Sequence, residues 1–162
     1  MKKRGSVRDV GLMMISVFAI VIAFLIINYA TGTMVGNMLL NNQINQTTGT
    51  VSALNATTAM TNQLDYVAFG FFIAFIFAII ITGFFVGGHP LFMFLYFLVV
   101  SVLVVVSAFL SNAWETISQN ASLIGSLANF PIMNHILTNF PLYIAVIGTV
   151  GIIVMFAKPR AE

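Results

Sequence analysis

The chain has no cysteine, only four acids, and no lysine or arginine anywhere between Asp9 and Ala157. Each absence excludes something. Without cysteine there are no disulfides, no thiolate metal sites and no thiol redox chemistry. Without charge through the middle of a 162-residue chain there is no ordinary water-facing surface, because a soluble domain of this length spreads charge over its exterior. All six basic residues stand at the ends, Lys2, Lys3, Arg4 and Arg8 at one and Lys158 and Arg160 at the other. A net charge of +2 is too small for nucleic-acid binding along the whole chain, and no specific nucleic acid is expected. Only the N-terminal patch is basic enough to attract an anionic head group, an acidic protein surface or a phosphate backbone.

What fills the middle is hydrocarbon. The sequence is 60% hydrophobic with a mean hydropathy of +1.05, which excludes disorder as well as a soluble core. One transmembrane domain over 1–162 is the natural unit. Four stretches reach or approach the roughly 20 apolar residues that cross a bilayer: 10–29, 67–87, 90–111 and 140–157. The first is too long for the core of a cleaved signal, and only Ala30-Thr31-Gly32 offers a cleavage site, so it is expected to stay as an anchor. No span carries an ionisable side chain near its middle.

The fold class is therefore an all-α membrane protein: four transmembrane helices in two hairpins, with helical extensions beyond the bilayer. An even number of spans puts both termini on one side, and the positive-inside rule makes that side the cytoplasm. The turn at Gly87-Gly88-His89-Pro90 lies there too. Two loops, 30–66 and 112–139, face away. In the first, Ala53, Ala56, Met60, Leu64, Val67 and Phe71 recur at helical spacing and run into the second span. In the second, Trp114, Ile117, Ala121, Ile124 and Leu127 extend the third span in the same way. The tripeptide Asn-Phe-Pro occurs at 129–131 and 139–141. Proline is harmless in a first helical turn and Asn is a good N-cap, so a short helix over 130–138 is expected before the fourth span. Its Phe130, Met133, Ile136 and Leu137 would face lipid or protein.

Chemistry is sparse. Asp65 and Glu115, on the same side, are either a paired-carboxylate site or interface residues that reach water or cap a helix, and the second is expected. His89 and His135 fall on opposite sides of the membrane, so a shared metal or proton relay is not expected. No nucleophile–base pair, Gly-rich phosphate loop or zinc spacing is present, and neither enzyme nor active transporter is favoured. No cofactor or metal is expected. Small residues at helical spacing, Gly83 with Gly87, Ser107 with Ser111, Ala19 with Ala23, and Ala145, Gly148 and Gly151, offer close helix packing within one bundle or between subunits. Sequons at Asn45, Asn55 and Asn120 lie in the outer loops, where so much Asn and Thr makes chance matches common.

Four short features carry a resemblance. They are Lys2-Lys3-Arg4-Gly5 running into a span, Asn62-Gln63-Leu64-Asp65-Tyr66 leading into the second, the His89-Pro90-Leu91-Phe92 hairpin, and the closing Met155-Phe156-Ala157-Lys158-Pro159. In these and in layout the chain resembles small multi-span proteins of viruses that hold a lipid bilayer beneath an icosahedral shell. The resemblance implies a structural virion protein present in many copies, associating with itself or with other membrane and capsid proteins, and it brings no catalytic residues. Lys2, Lys3, Arg4, Arg8, Lys158 and Arg160 would then contact capsid or head groups. The alternatives are a holin-like permeabilising protein, for which Ser16, Asn28 and Thr82 make too thin a polar stripe, and an accessory subunit of a cellular membrane complex.

Overall fold

The computed structural model describes residues 7–85 and 90–157, with side chains for 10–81 and 94–154. Among these the chain is helical throughout, with no strand. The helices are α1 (Val7–Leu39), α2 (Asn42–Asn45), α3 (Thr48–Thr61), α4 (Leu64–Phe85), α5 (Pro90–Ser118), α6 (Ile124–Leu127), α7 (Pro131–Thr138) and α8 (Phe140–Ala157). By length and composition three segments can cross a membrane, Val10–Leu39, Thr48–Ile81 and Phe94–Ser118. The pair α7 and α8, bent by 78° at their junction, would make a fourth.

The long helices pack on a repeat of three and four. α1 buries Val10, Met14, Val17, Val21, Leu25 and Asn28, α4 buries Asp65, Ala68, Phe72, Phe75 and Ile79, and α5 buries Tyr96, Val100, Leu103 and Ser107. Steps of three and four, close to the turn of about 3.6 residues in a helix, keep one seam of each helix turned to its neighbours. The other faces are just as apolar. Phe94 is 65% exposed and Phe109 70% exposed, with Leu12, Ile26, Phe77, Val105, Leu142 and Ile153 beside them on the outside. A helix apolar all round but buried along one seam only is built for lipid.

Packing order along the bundle is α1, α4, α8, α5, with only slight contact between α1 and α5. Phe72 lies at the centre, its ring 6.2 Å from that of Phe140 and 6.1 Å from that of Tyr143, the latter edge-on. α3 folds back along α1, while α7 lies across α4 and α5. These connecting helices gather at one end of the bundle, the loop end.

Several boundaries differ from those read in the sequence. α1 does not stop at Tyr29 but continues to Leu39, because uncharged residues carry it on and α3 packs along it. Gly32 and Gly36 sit within this extension with nothing within 4 Å of a built Cβ. α3 and α4 do form a nearly continuous helix, interrupted at Asn62 and Gln63. α5 runs on as expected but ends at Ser118, so Ile124 and Leu127 belong to α6. There the Asn120 side chain accepts from Ser122 N–H at 3.0 Å, a local turn that competes with helix. α8 has the bounds read from the sequence.

Small residues bring α8 onto α5. A Cβ on Gly148 would stand 2.3 Å from Val100 Cγ1, and one on Gly151 would stand 2.1 Å from the Tyr96 hydroxyl. Ala145 is half-buried, whereas Ala19 and Ala23 are exposed and make no seam. Ser107 is buried, its hydroxyl donating to the Val104 carbonyl at 2.7 Å. The packing of Gly83 and Gly87 and the turn at His89 lie outside the described residues and side chains.

Gly148→Ala should therefore push α8 from a stiff β-branched neighbour and destabilise the bundle by about 1–3 kcal/mol. Gly36→Ala meets nothing and should be neutral or stabilise by up to about 1 kcal/mol. Thermal unfolding of both variants in mild detergent, followed by helical circular dichroism, checks the contrast.

Candidate functional site

Buried polarity is concentrated at the loop end, and it begins with the first turn of α7. A helix start leaves N–H groups without intrahelical partners. Pro131 removes one, and the residue before the helix is Phe130, whose side chain offers no cap. The partner comes from α4. Asp65 Oδ2 accepts from Ile132 N–H at 3.0 Å and Asp65 Oδ1 accepts from Met133 N–H at 2.9 Å. Asp65 is 2% exposed, so both oxygens are taken out of water and given to the positive end of the helix. Asn129, the local capping candidate, does not take this role.

Asn129 turns to α1 instead. Its Nδ2 donates to Asn28 Oδ1 at 3.3 Å, and Asn28 Nδ2 donates to Asn62 Oδ1 at 3.1 Å. Asn28, 4% exposed, thus ties α1 to the α3–α4 junction and to the approach to α7. Above it opens a cleft of about 370 Å³ lined by Thr33, Thr58, Thr61, Ser122 and Ser126 with these amides. The lining offers hydroxyls and amides but no charge. It can order water or an uncharged polar group, and the nearest acid in sequence, Asp65, is already committed to α7.

The rest of α7 is held as firmly. Trp114, fully buried on α5, donates from Nε1 to Asn134 Oδ1 at 2.9 Å. The Ser111 hydroxyl donates to the Thr138 carbonyl at 2.7 Å. At the bend, Asn139 Nδ2 donates back to the His135 carbonyl at 3.0 Å, closing α7 before α8 begins. Phe130, Met133, Ile136 and Leu137 are all buried, so they face protein.

Asp65 and Glu115 are not brought together as a paired site. Glu115 is exposed, and its Oε1 accepts from Gln119 Nε2 at 3.4 Å. His135 is exposed and stands edge-on to Tyr143, with ring centres 6.3 Å apart. Asn45, Asn55 and Asn120 are exposed. Ser16 is exposed and donates to the Leu12 carbonyl at 2.8 Å. The side chains of Lys2, Lys3, Arg4, Arg8, Lys158 and Arg160 lie outside those described.

The two clasps differ in strength. Asp65→Ala leaves two buried N–H groups without partners and should destabilise the protein by about 3 kcal/mol, since each bond to a charged group contributes about 1.5–3 kcal/mol. Amide exchange at Ile132 and Met133 should accelerate in that variant, and unchanged protection there would refute the cap. Asn28→Ala should cost only about 1 kcal/mol, in the range of interhelical hydrogen bonds between membrane helices. A double-mutant cycle with Asn62→Ala should show coupling of a few tenths of a kcal/mol or more.

No protein-family model, curated protein or solved structure matches the chain.

Proposed function

We propose that this is a structural multi-pass membrane protein, a virion component that organises an internal lipid bilayer and links it to the capsid. In this reading α1, α4, α5 and α8 are four spans in two hairpins. Both termini face the cytoplasm during insertion through a host membrane, and the loop end, which carries no basic residue, faces the particle lumen.

The observation that carries the structural role is how the buried polar groups are used. Asp65, Asn28, Asn62, Asn129, Trp114 and Ser111 bond one helix to another. Transporters and pumps keep ionisable groups at membrane depth for the ion they handle, and the middles of these spans contain none. A holin-like hole needs a polar stripe turned to water. Asn28, the most polar side chain available for one, is turned inward, and Ser16 is satisfied within its own helix. The assignment to a virion is carried by the sequence resemblance and by the confinement of positive charge to the two ends.

Density-gradient separation of producing cells and released particles, with mass spectrometry locating the polypeptide, tests the reading. It should be found in lipid-containing particles beside capsid protein. Recovery from the cell membrane alone would overturn the virion role, and a permeability assay would then separate a holin from a cellular accessory subunit. Reversing the tails (K2E/K3E/R4E/R8E/K158E/R160E) should weaken capsid attachment several-fold or more, since each basic residue near an anionic surface contributes about 1 kcal/mol. Unchanged particle assembly would show that the tails are not the link.

A further inference from the structure

The polar cleft at the loop end takes its floor and two walls from different parts of the chain. α1 supplies the floor with Asn28 and Tyr29, the end of α3 supplies one wall, and α6 with the turn before it supplies the other. α3 and α6 each pack on α1 but hardly touch each other, so the space of about 370 Å³ between them stays open. Gly32 and Gly125 line it with nothing within 4 Å of a built Cβ, and neither has a positive φ.

The cleft offers more hydrogen-bonding capacity than the chain uses. Asn28, Asn62 and Asn129 share two bonds, whereas each amide can make up to about four. Thr58 and Thr61 donate to the Leu54 and Thr58 carbonyls at 3.2 and 3.0 Å, which leaves their oxygens able to accept. Ser126 is the sharpest case. It is only 9% exposed, lines the cleft, and its hydroxyl has no hydrogen-bond partner among the described residues. A hydroxyl so enclosed needs a partner, and the contents of the cleft must provide it.

The lining also selects the class of molecule. No Lys, Arg, His, Asp or Glu is among the lining residues, so nothing offsets the desolvation of an ion. An apolar molecule would strand the amides and the Ser126 hydroxyl. Vicinal hydroxyls donate and accept together, as the amides do. Tyr29, 37% exposed, adds an aromatic ring on which the C–H face of a sugar can pack. The volume is several times the share of about 30 Å³ that one water takes in the liquid, and it reaches the lower end of the range for small-molecule sites, about 300–1,000 Å³.

We propose that the cleft over Asn28 binds one neutral sugar ring, with its hydroxyls paired to the Asn28, Asn62 and Asn129 amides and to Ser126, and its C–H face on Tyr29. The ring comes free or as the head group of a glycolipid, because the apolar run of α1 ends at Tyr29, which is head-group level with α1 across a bilayer. The site does not depend on the virion role, and each can fail without the other.

Saturation-transfer NMR on the full chain in a polyoxyethylene detergent, which carries no sugar, tests the site with methyl glucoside, galactoside and mannoside. At least one should bind with a Kd of about 1 mM, the strength expected of so small a ligand, while choline and inorganic phosphate should not bind. Native mass spectrometry after equilibration with glucosyl diacylglycerol, galactosyl diacylglycerol and phosphatidylcholine in equal amounts reads the lipid-linked source. Retention of a glycosyl lipid without binding of any free glycoside would assign the site to a glycolipid head group, and the reverse would assign it to free sugar. Gly125→Leu fills the cleft and should abolish binding. Ser126→Ala should weaken it about fivefold, the loss of one hydrogen bond. Circular dichroism checks the fold of both. If G125L does not fold, G32L, which fills the cleft from α1, replaces it, and S126A decides alone if neither folds. Failure of every sugar probe, equal binding of choline or phosphate, or undiminished binding in a folded variant would each overturn the site and leave the cleft to water.

Discussion

A carboxylate taken out of water loses several kcal/mol of solvation, and a buried helix start with open N–H groups loses a comparable amount. In this protein each deficit is the other's remedy. Asp65 gives both oxygens to the backbone of α7, and α7 accepts no other cap. The arrangement of the loop end depends on this exchange. With its start fixed to α4, α7 lies across the bundle and places Asn134 under Trp114 and Thr138 beside Ser111. The chain then turns through 78° into α8. α8 lies between α4 and α5, so the clasp on a short helix also sets the position of α8.

Asparagine does the corresponding work for α1. Water competes weakly for hydrogen bonds at a buried position, and a side-chain amide can donate and accept at once. Asn28 does both, toward Asn62 and Asn129. Such bonds contribute modestly, because helices apart in a membrane also find partners. Their value lies in direction: the apolar seam of α1 could slide along α4 by one repeat at little loss, and a buried amide pair forbids it. A single polar residue in an otherwise hydrocarbon seam fixes register in this way in coiled coils.

These clasps explain why the layout could be read from the residues but the site could not. The long apolar helices follow from apolar length, and the short helix α7 follows from its Asn-Phe-Pro start, both local properties. The stretch 140–157 matches α8 end to end because proline and asparagine mark its beginning. Hydropathy falls at Tyr29, yet the helix continues to Leu39 on contacts with α3 that no local window contains. Local sequence likewise offers Asn129 as the cap of α7. The true partner, Asp65, is 67 positions away from Ile132. One signal did point to it: an acid just where a long apolar run begins has to find a donor, and α7 offered the unpaired ones.

The same distinction separates the two ends of the bundle. The loop end is closed by directional bonds, those of the Asp65 carboxylate to the start of α7 and those of Asn28, Asn62, Asn129, Trp114 and Ser111. Toward the ends that carry the charge, α5 and α8 are joined by shape, with Gly148 and Gly151 admitting Val100 and Tyr96. α1 is left apart from α5 by a hydrocarbon gap. Dispersion packing is strong only where surfaces fit, and it has no preference for protein over lipid. A bundle fastened at one end and open at the other can keep its register while the open end adapts to the molecules that line it. All six basic residues of the sequence stand at its two ends, where they supply the charge that hydrocarbon packing cannot.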